Sequence, residues 1–378
     1  MKSFALSAIA ALAAVLPVSQ AQTFTACQPL NRTGCPTMDA LGANATFLFN
    51  KTGIPTNGKV WQKQNNGKID WDEKGGTTFT IERSGDSPMV ASQFYMLFGR
   101  LEVIMKSSKG KGIVSSAILQ SEALDEIDWE FLGSNNTHVL SNYYGKGNST
   151  YGNRGREYPM EKSPHDDFHN YTIDWTKERI QWWLDDKMLR ELLPTEALNG
   201  KNYPQTPMNV RLGMWAGGDT KHNKPGVVEW AGGETNFDDG PFTMMVREVR
   251  VQDYTAAKEY AWPDVIDPTG SWEKIKVTSM AEAGQSPVLK EITKPSGVRN
   301  RWAALPQGAK IGIIAGSLGL FAVIVLLIAF CCIKQRRAGR KEHAALLAAE
   351  QKEAAELQEY KVQMQSGKFG YGGGYNRV

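Results

Sequence analysis

From residue 22 to about residue 253, apolar and polar side chains tend to alternate in short runs, and Gly, Asn, Asp and Pro separate the runs. Alternation of this kind sends successive side chains to opposite faces, the period of a β-strand rather than of a helix. Predicted strands cover 77–83, 94–106, 113–120, 126–132, 139–144, 171–175, 179–184, 208–215 and 243–254. Asp185 and Asp186, between two such runs, read as a hairpin turn, and 194–198 as one helical turn. No long amphipathic helix precedes residue 311. Many strands at regular spacing predict an all-β fold, with two antiparallel sheets packed face to face as a sandwich or jelly roll. Roughly 230–250 residues are enough to bury a substantial core in that form.

The ends of the chain carry different patterns. Lys2, an apolar run over 4–16 and Ser19-Gln20-Ala21 read as a secretory signal, so residues 1–21 are expected to be removed. A second apolar run, 311–333, holds no charge and is long enough to span a bilayer core of about 30 Å as a helix. Lys334, Arg336, Arg337, Arg340 and Lys341 follow it, which predicts a cytoplasmic tail over 334–378 and an extracellular N-terminal part. Between them, 22–262 is expected to be the β domain and 263–310, where strand alternation fades, a stalk. Within the tail, 344–363 has helix-forming composition and ends in a Gly/Tyr-rich stretch.

Charge follows the same division. The tail carries nine Lys/Arg and five Asp/Glu; taking its +4 and Lys2 from the total of +3 leaves 22–310 at −2. The basic excess therefore sits beside a membrane, and composition argues against nucleic acid as a partner. Cys27 and Cys35 lie in the exported part and are expected to form a disulfide; Cys331 and Cys332 fall at the end of the span. Asn31, Asn44, Asn50, Asn135, Asn148 and Asn170 each begin a glycosylation sequon.

The chemistry concentrates in 126–132. On a strand, Glu126, Asp128 and Glu130 share one face, while Ile127, Trp129 and Phe131 share the other. Three like charges on one face repel, so stability gives no reason to place them there. Retaining glycoside chemistry gives one, because it needs one carboxylate as nucleophile and one carboxyl as acid/base. A solvated acidic strand face is the alternative, and the apolar partner face counts against it.

At this point the chain resembles a known family. Glu126-x-Asp128-x-Glu130 matches the motif of glycoside hydrolase family 16. The wider set is similar to the fungal Crh-type cell-wall transglycosylases: Gly99-Arg-Leu-Glu102, Gly112-Ile-Val-Ser-Ser116, Asp125-Glu-Ile-Asp-Trp-Glu130, Asn142-Tyr-Tyr-Gly-Lys-Gly147, Phe168-His-Asn-Tyr-Thr-Ile-Asp-Trp175, Trp215-Ala-Gly-Gly-Asp219 and Glu229-Trp-Ala-Gly-Gly233. The resemblance covers most of 22–260 and implies a jelly roll with a concave cleft. It implies double displacement, with Glu126 as nucleophile, Glu130 as proton donor and then base, and Asp128 in support. The regular spacing of the three carboxylates, with no inserted residue, resembles the transglycosylase branches. Chitin is the implied donor and chitin or β-glucan the implied acceptor, at the plasma membrane and cell wall.

Sugar subsites need flat apolar faces beside hydrogen-bonding edges. Trp215 and Trp230 lie in Gly-flanked motifs, where missing side chains would admit a polymer. Trp175, Trp182 and Trp183 are more readily assigned to a core. Arg211 shares a predicted strand face with Trp215; Gln120, Tyr143 and Glu229 are further candidates, and Glu130 would also touch substrate. Family members often read Gly-Thr where this chain has Gly226-Val227, which removes a hydroxyl from the acceptor side. His165 and His169 have i,i+4 spacing but lead into a strand, so no metal site is expected, and no cofactor. Two other readings fit the same residues: an endo-acting hydrolase in which water takes the acceptor's place, and a non-catalytic wall-binding tether.

Overall fold

The computed structural model describes residues 25–50, 58–72, 75–148, 154–294 and 302–366. The expected signal segment and the Gly/Tyr-rich end lie outside the described residues. The chain divides into two units, Met1–Lys294 and Pro295–Val378.

The first unit is built from strands. In chain order the first nine are β1 (Met38–Asp39), β2 (Asn44–Leu48), β3 (Trp61–Gln64), β4 (Lys68–Trp71), β5 (Thr77–Ile81), β6 (Met89–Met96), β7 (Gly99–Lys106), β8 (Ile113–Ser121) and β9 (Glu126–Leu132). They continue as β10 (His138–Tyr144), β11 (Arg156–Pro159), β12 (His169–Trp175), β13 (Ile180–Leu184), β14 (Lys187–Leu192), β15 (Met208–Ala216), β16 (Phe242–Asp253), β17 (Ala257–Ala261) and β18 (Lys276–Ser279). One sheet has seven strands in the order β11-β10-β9-β8-β15-β6-β3. The facing sheet runs β14-β13-β12-β7-β16-β5-β4, with β2 also paired to β16. A small third sheet, β1-β17-β18, completes the unit. This is the all-β jelly-roll sandwich that the alternation predicted.

The core fills the space between the two large sheets. Trp129, Phe131, Tyr171, Trp175 and Trp182 are all fully buried there. Buried indole N–H groups need acceptors: Trp129 Nε1 on β9 donates to Thr172 O on β12 at 3.1 Å, and Trp175 Nε1 donates to Pro204 O at 2.9 Å. The Asp185-Asp186 turn has both residues at positive φ, 46° and 66°, as the two-residue hairpin between β13 and β14 requires.

Two expectations change. Residues 94–106 are not one strand. The chain turns at Phe98, whose φ is 68°, and passes from β6 in the seven-stranded sheet to β7 in the other. Apolar alternation runs on either side of the turn, so periodicity alone does not register the crossing. The expected stalk is also partly folded onto the first unit. β18 pairs with β17, and Val288 and Leu289 of the short helix Pro287–Ile292 are buried. These elements are too short to show a period.

The second unit contains a helix of 59 residues, Gln307–Gln365, which takes in both the apolar run and the helix-forming part of the tail. It is the one helix among the described residues long and apolar enough to cross a membrane.

Candidate active site

β9 lies inside the seven-stranded sheet, paired on one side with β8 and on the other with β10. Ile127, Trp129 and Phe131 point into the core and are fully buried. The pleat therefore sends Glu126, Asp128 and Glu130 to the opposite face. The register places Glu126 between Gln120 and Tyr144, Asp128 between Ile118 and Asn142, and Glu130 between Ser116 and Leu140. On β15, Asn209, Arg211, Gly213 and Trp215 continue the same face opposite Gln120, Ile118, Ser116 and Val114. This face points away from the core, yet Glu126, Asp128, Gln120, Ser116, Asn142, Asn209 and Arg211 are all buried. A polar face that is both outward and buried is the floor of a groove.

The three carboxyls sit in different surroundings. Gln120 Nε2 donates to Glu126 Oε2 at 2.8 Å. Among the described residues, neither carboxyl oxygen of Asp128 has a hydrogen-bond partner. Burial first, then the charges of Glu130 and Glu126, raises Asp128 well above the usual carboxylate range. Glu130 keeps a partly exposed edge, while the surrounding protein desolvates its carboxyl. That desolvation first, then the charge of Glu126, pushes it up to about 8, against a lowering hydrogen bond from Asn142. Glu130 is protonated at neutral pH and still reachable.

The strand carrying these groups is pinned at its start and from behind. Fully buried Asp125 accepts from Gln205 N at 2.8 Å, Thr206 N at 3.0 Å, Thr206 Oγ1 at 2.7 Å and Lys146 N at 2.9 Å. Behind the sheet, Trp182 Nε1 donates to Asp128 O at 3.0 Å.

Towards one end of the groove the floor becomes apolar. Val114, Leu132, Leu140, Trp215 and Ala231 form a cluster separate from the main core, with Val227 packed on it. A short helix, Pro225–Trp230, carries Val227, Glu229 and Trp230. Trp230 stacks on Trp215 with ring centroids 6.2 Å apart and planes at 21°, and leaves 37% of itself exposed. Trp215 and Trp230 thus come together, and Val227 belongs to the packing beneath them. Glu229 lies exposed on the same helix.

Several sequence expectations fall elsewhere. Tyr143 faces the core, opposite Ile127, and packs over Arg190. Its neighbour Tyr144 is the tyrosine in the groove, receiving Asn142 Nδ2 at 3.2 Å and raised to about 12 by burial and by the three acidic groups. The adjacent pair of tyrosines hid the choice, because the face depends on the register of β10 against β9. Asn142 and Ser116 were missed for the same reason. The glycines after Trp215 and Trp230 do not open a path for polymer. A Cβ on Gly218 would lie 2.3 Å from Gly233 O, and one on Gly232 2.3 Å from Ser134 Oγ, so they allow two loops to pack closely. Trp175 and Trp182 are core residues, and Trp183 lies on the outer face of the second sheet under Arg100. His165 Nδ1 pairs with Ser107 Oγ at 2.9 Å and His169 Nδ1 with Asp185 Oδ2 at 2.6 Å, on separate elements. A hollow of about 510 Å³ beside His169 and Asp185 holds none of the groove carboxylates. Cys27 and Cys35 are disulfide-bonded, and Cys331 and Cys332 are exposed on the long helix. Asn31 and Asn44 are exposed, and Asn50, Asn135, Asn148 and Asn170 partly so.

A sandwich with paired, differently tuned carboxyls on a groove floor defines a carbohydrate-active enzyme. Comparison with known proteins is specific: residues 56–232 match the model of glycosyl hydrolases family 16. Crh-like protein 2 of Botryotinia fuckeliana is 45% identical over 94% of this chain and 77% of its own length. A Crh-like protein of Arthroderma benhamiae is 46% identical over 89% of each. Among solved structures, a Crh5 transglycosylase in complex with NAG superposes with a TM-score of 0.61 at 42% identity, covering 66% of this chain and 99% of that one. The chain belongs to glycoside hydrolase family 16, among its Crh-like members. It is a glycoside hydrolase or transglycosylase.

Proposed function

We propose that this protein is a cell-wall transglycosylase that cleaves chitin and joins the released chain to chitin or β-glucan through a covalent glycosyl-enzyme. The observation that carries this reading is the opposite condition of two glutamates on one strand face. Glu126 accepts a hydrogen bond from Gln120, while Glu130 holds a proton at neutral pH.

In the first step Glu126 forms a bond to the anomeric carbon as the glycosidic bond breaks, and Glu130 gives its proton to the departing oxygen. Asp128, on the same strand face, supports and orients the attacking carboxylate. In the second step Glu130 takes the proton of the acceptor hydroxyl, whose oxygen displaces Glu126 from the same carbon. Both groups return to their starting states.

The stacked Trp215–Trp230 pair, with one face exposed, suits a sugar ring on the groove floor. The relative solved in complex with NAG, the repeating unit of chitin, supports chitin as donor. The apolar helix supports membrane anchorage, and the basic residues that follow it support placing the first unit on the extracellular side of the plasma membrane. Incubation of the first unit with chitin oligomers and a fluorescent glucan or chitin acceptor tests the reading. Labelled products longer than the donor are expected. Products only shorter than the donor would assign a hydrolase, and turnover surviving Glu126→Gln and Glu130→Gln would overturn the catalytic assignment.

A further inference from the structure

Arg211, read from the sequence as a sugar contact, also hydrogen-bonds two side chains of the groove floor. The residue is 9% exposed. Its Nε donates to Asn209 Oδ1 at 3.0 Å, and its Nη1 donates to Gln120 Oε1. Asn209 is itself held, with Nδ2 donating to Ser92 O at 3.4 Å. A guanidinium has five N–H donors and no acceptor. The oxygen of Gln120 must therefore face Arg211, and its amide N–H must face Glu126, where it donates to Oε2. Gln120 is 1% exposed, so water does not compete for either end.

The direction of this chain is thus set by the one member that cannot accept. It obliges Glu126 to present a lone pair at Oε2. Glu130, on the same strand face, is reached by the amide of Asn142, and among the described residues by no hydrogen-bonded chain that ends on a guanidinium. Two glutamates of one strand are in this way made unequal.

We propose that Arg211 and Gln120 form a positioning relay that orients Glu126 and keeps it in its attacking, acceptor form, so that the relay decides which glutamate is nucleophile and which is acid. This rests on the reading of Glu126 as nucleophile. Arg211 and Gln120 act through Glu126 and do not touch the reacting carbon.

The test uses Gln120→Leu, which deletes the donor, Gln120→Glu, which replaces it by an acceptor, Arg211→Met, which frees the amide to flip, and Arg211→Lys, which keeps a donor-only group. With chitin oligomer as donor, kcat is expected to fall on the order of 10²-fold in the first three, the scale of a misplaced reacting group. The donor KM should stay within about two-fold, and the acid limb of the kcat/KM profile, which reports the free enzyme's base, should move to higher pH by about one unit. Arg211→Lys should recover most of kcat. A raised KM with unchanged kcat would make Arg211 a sugar contact and overturn the relay, as would an unmoved acid limb. Should Gln120→Leu fail to fold, Gln120→Glu and Arg211→Lys decide the matter by the same limb. Acid-quenched wild-type reactions, digested and analysed by mass spectrometry, separate the two claims. A glycosylated peptide lacking residue 126 removes the nucleophile assignment itself, whereas labelling at Glu126 that proceeds at the wild-type rate in Gln120→Leu removes only the relay.

Discussion

Trp182 on one sheet donates its indole N–H to the main-chain oxygen of Asp128 on the other at 3.0 Å. Trp129, one residue further along the carboxylate strand, sends its own indole the opposite way, to Thr172 O at 3.1 Å. The two bonds cross the core in opposite directions and tie β9 to the facing sheet at the level of its central acid. Acidic side chains that repel one another would push a strand out of register; these ties act against it from the dry side. Trp182→Phe keeps the ring and removes one donor, leaving a buried carbonyl short of a partner. We expect a loss of about 1–2 kcal/mol, a fall in Tm of about 2–8 °C, and lower kcat at 25 °C where the variant is fully folded. Thermal melts and initial rates check both.

The pH dependence of transfer follows from Glu130. Its carboxyl is pushed up to about 8, by burial first and by the charge of Glu126 second. The proton donor is present below that pH and lost above it, so kcat/KM should be flat near neutrality and fall as pH rises through about 8. Glu130→Gln should abolish transfer at every pH. A rate profile in overlapping buffers gives the answer; an alkaline limb that is absent up to pH 10 would contradict the assignment.

Stability should move with pH through the same residue. At low pH both the folded and unfolded chains hold the proton. Above the ordinary glutamate value of 4.5 the unfolded chain releases it, while the folded chain keeps it until about 8. The native state then binds more protons than the unfolded one, so this carboxyl lowers stability progressively across pH 4.5–8. Glu130→Gln removes the effect. The variant should melt higher than wild type at pH 8 by a few degrees, on the order of 1–2 kcal/mol, and by less at pH 5. Equal differences at the two pH values would show that the carboxyl is not held protonated.

The two stacked tryptophans should separate binding from folding. Trp230 exposes 37% of its surface on a short helix, whereas Trp215 exposes 8% within the apolar cluster. Trp230→Ala should raise the KM for donor or acceptor several-fold with Tm within about 2 °C of wild type, because little packing is lost. Trp215→Ala leaves a cavity beneath and should cost about 2–4 kcal/mol in addition. Paired melts and saturation curves measure the contrast.

How much of this was legible in the chain depends on the range of the interaction responsible. Strand alternation is local, so the all-β class, the hairpin at Asp185-Asp186 and the carboxylate face of 126–132 could be read directly, because a pleat sends every second residue to one side whatever lies beyond it. Charge-free length marked 311–333 on the same terms. Register, crossing points and burial are set by distant partners. That is why Tyr143 and Tyr144 exchanged roles, why 94–106 proved to be two strands in two sheets, and why the glycines near Trp215 serve loop packing rather than an open path. The sequence by itself determined which residues share a face of β9. Only the tertiary structure decided that Gln120 and Arg211 lie beside Glu126, that Trp182 lies behind Asp128, and hence that chemically identical glutamates have different neighbours, since a carboxyl's ionisation depends on the groups and the water that folding brings to it or takes away.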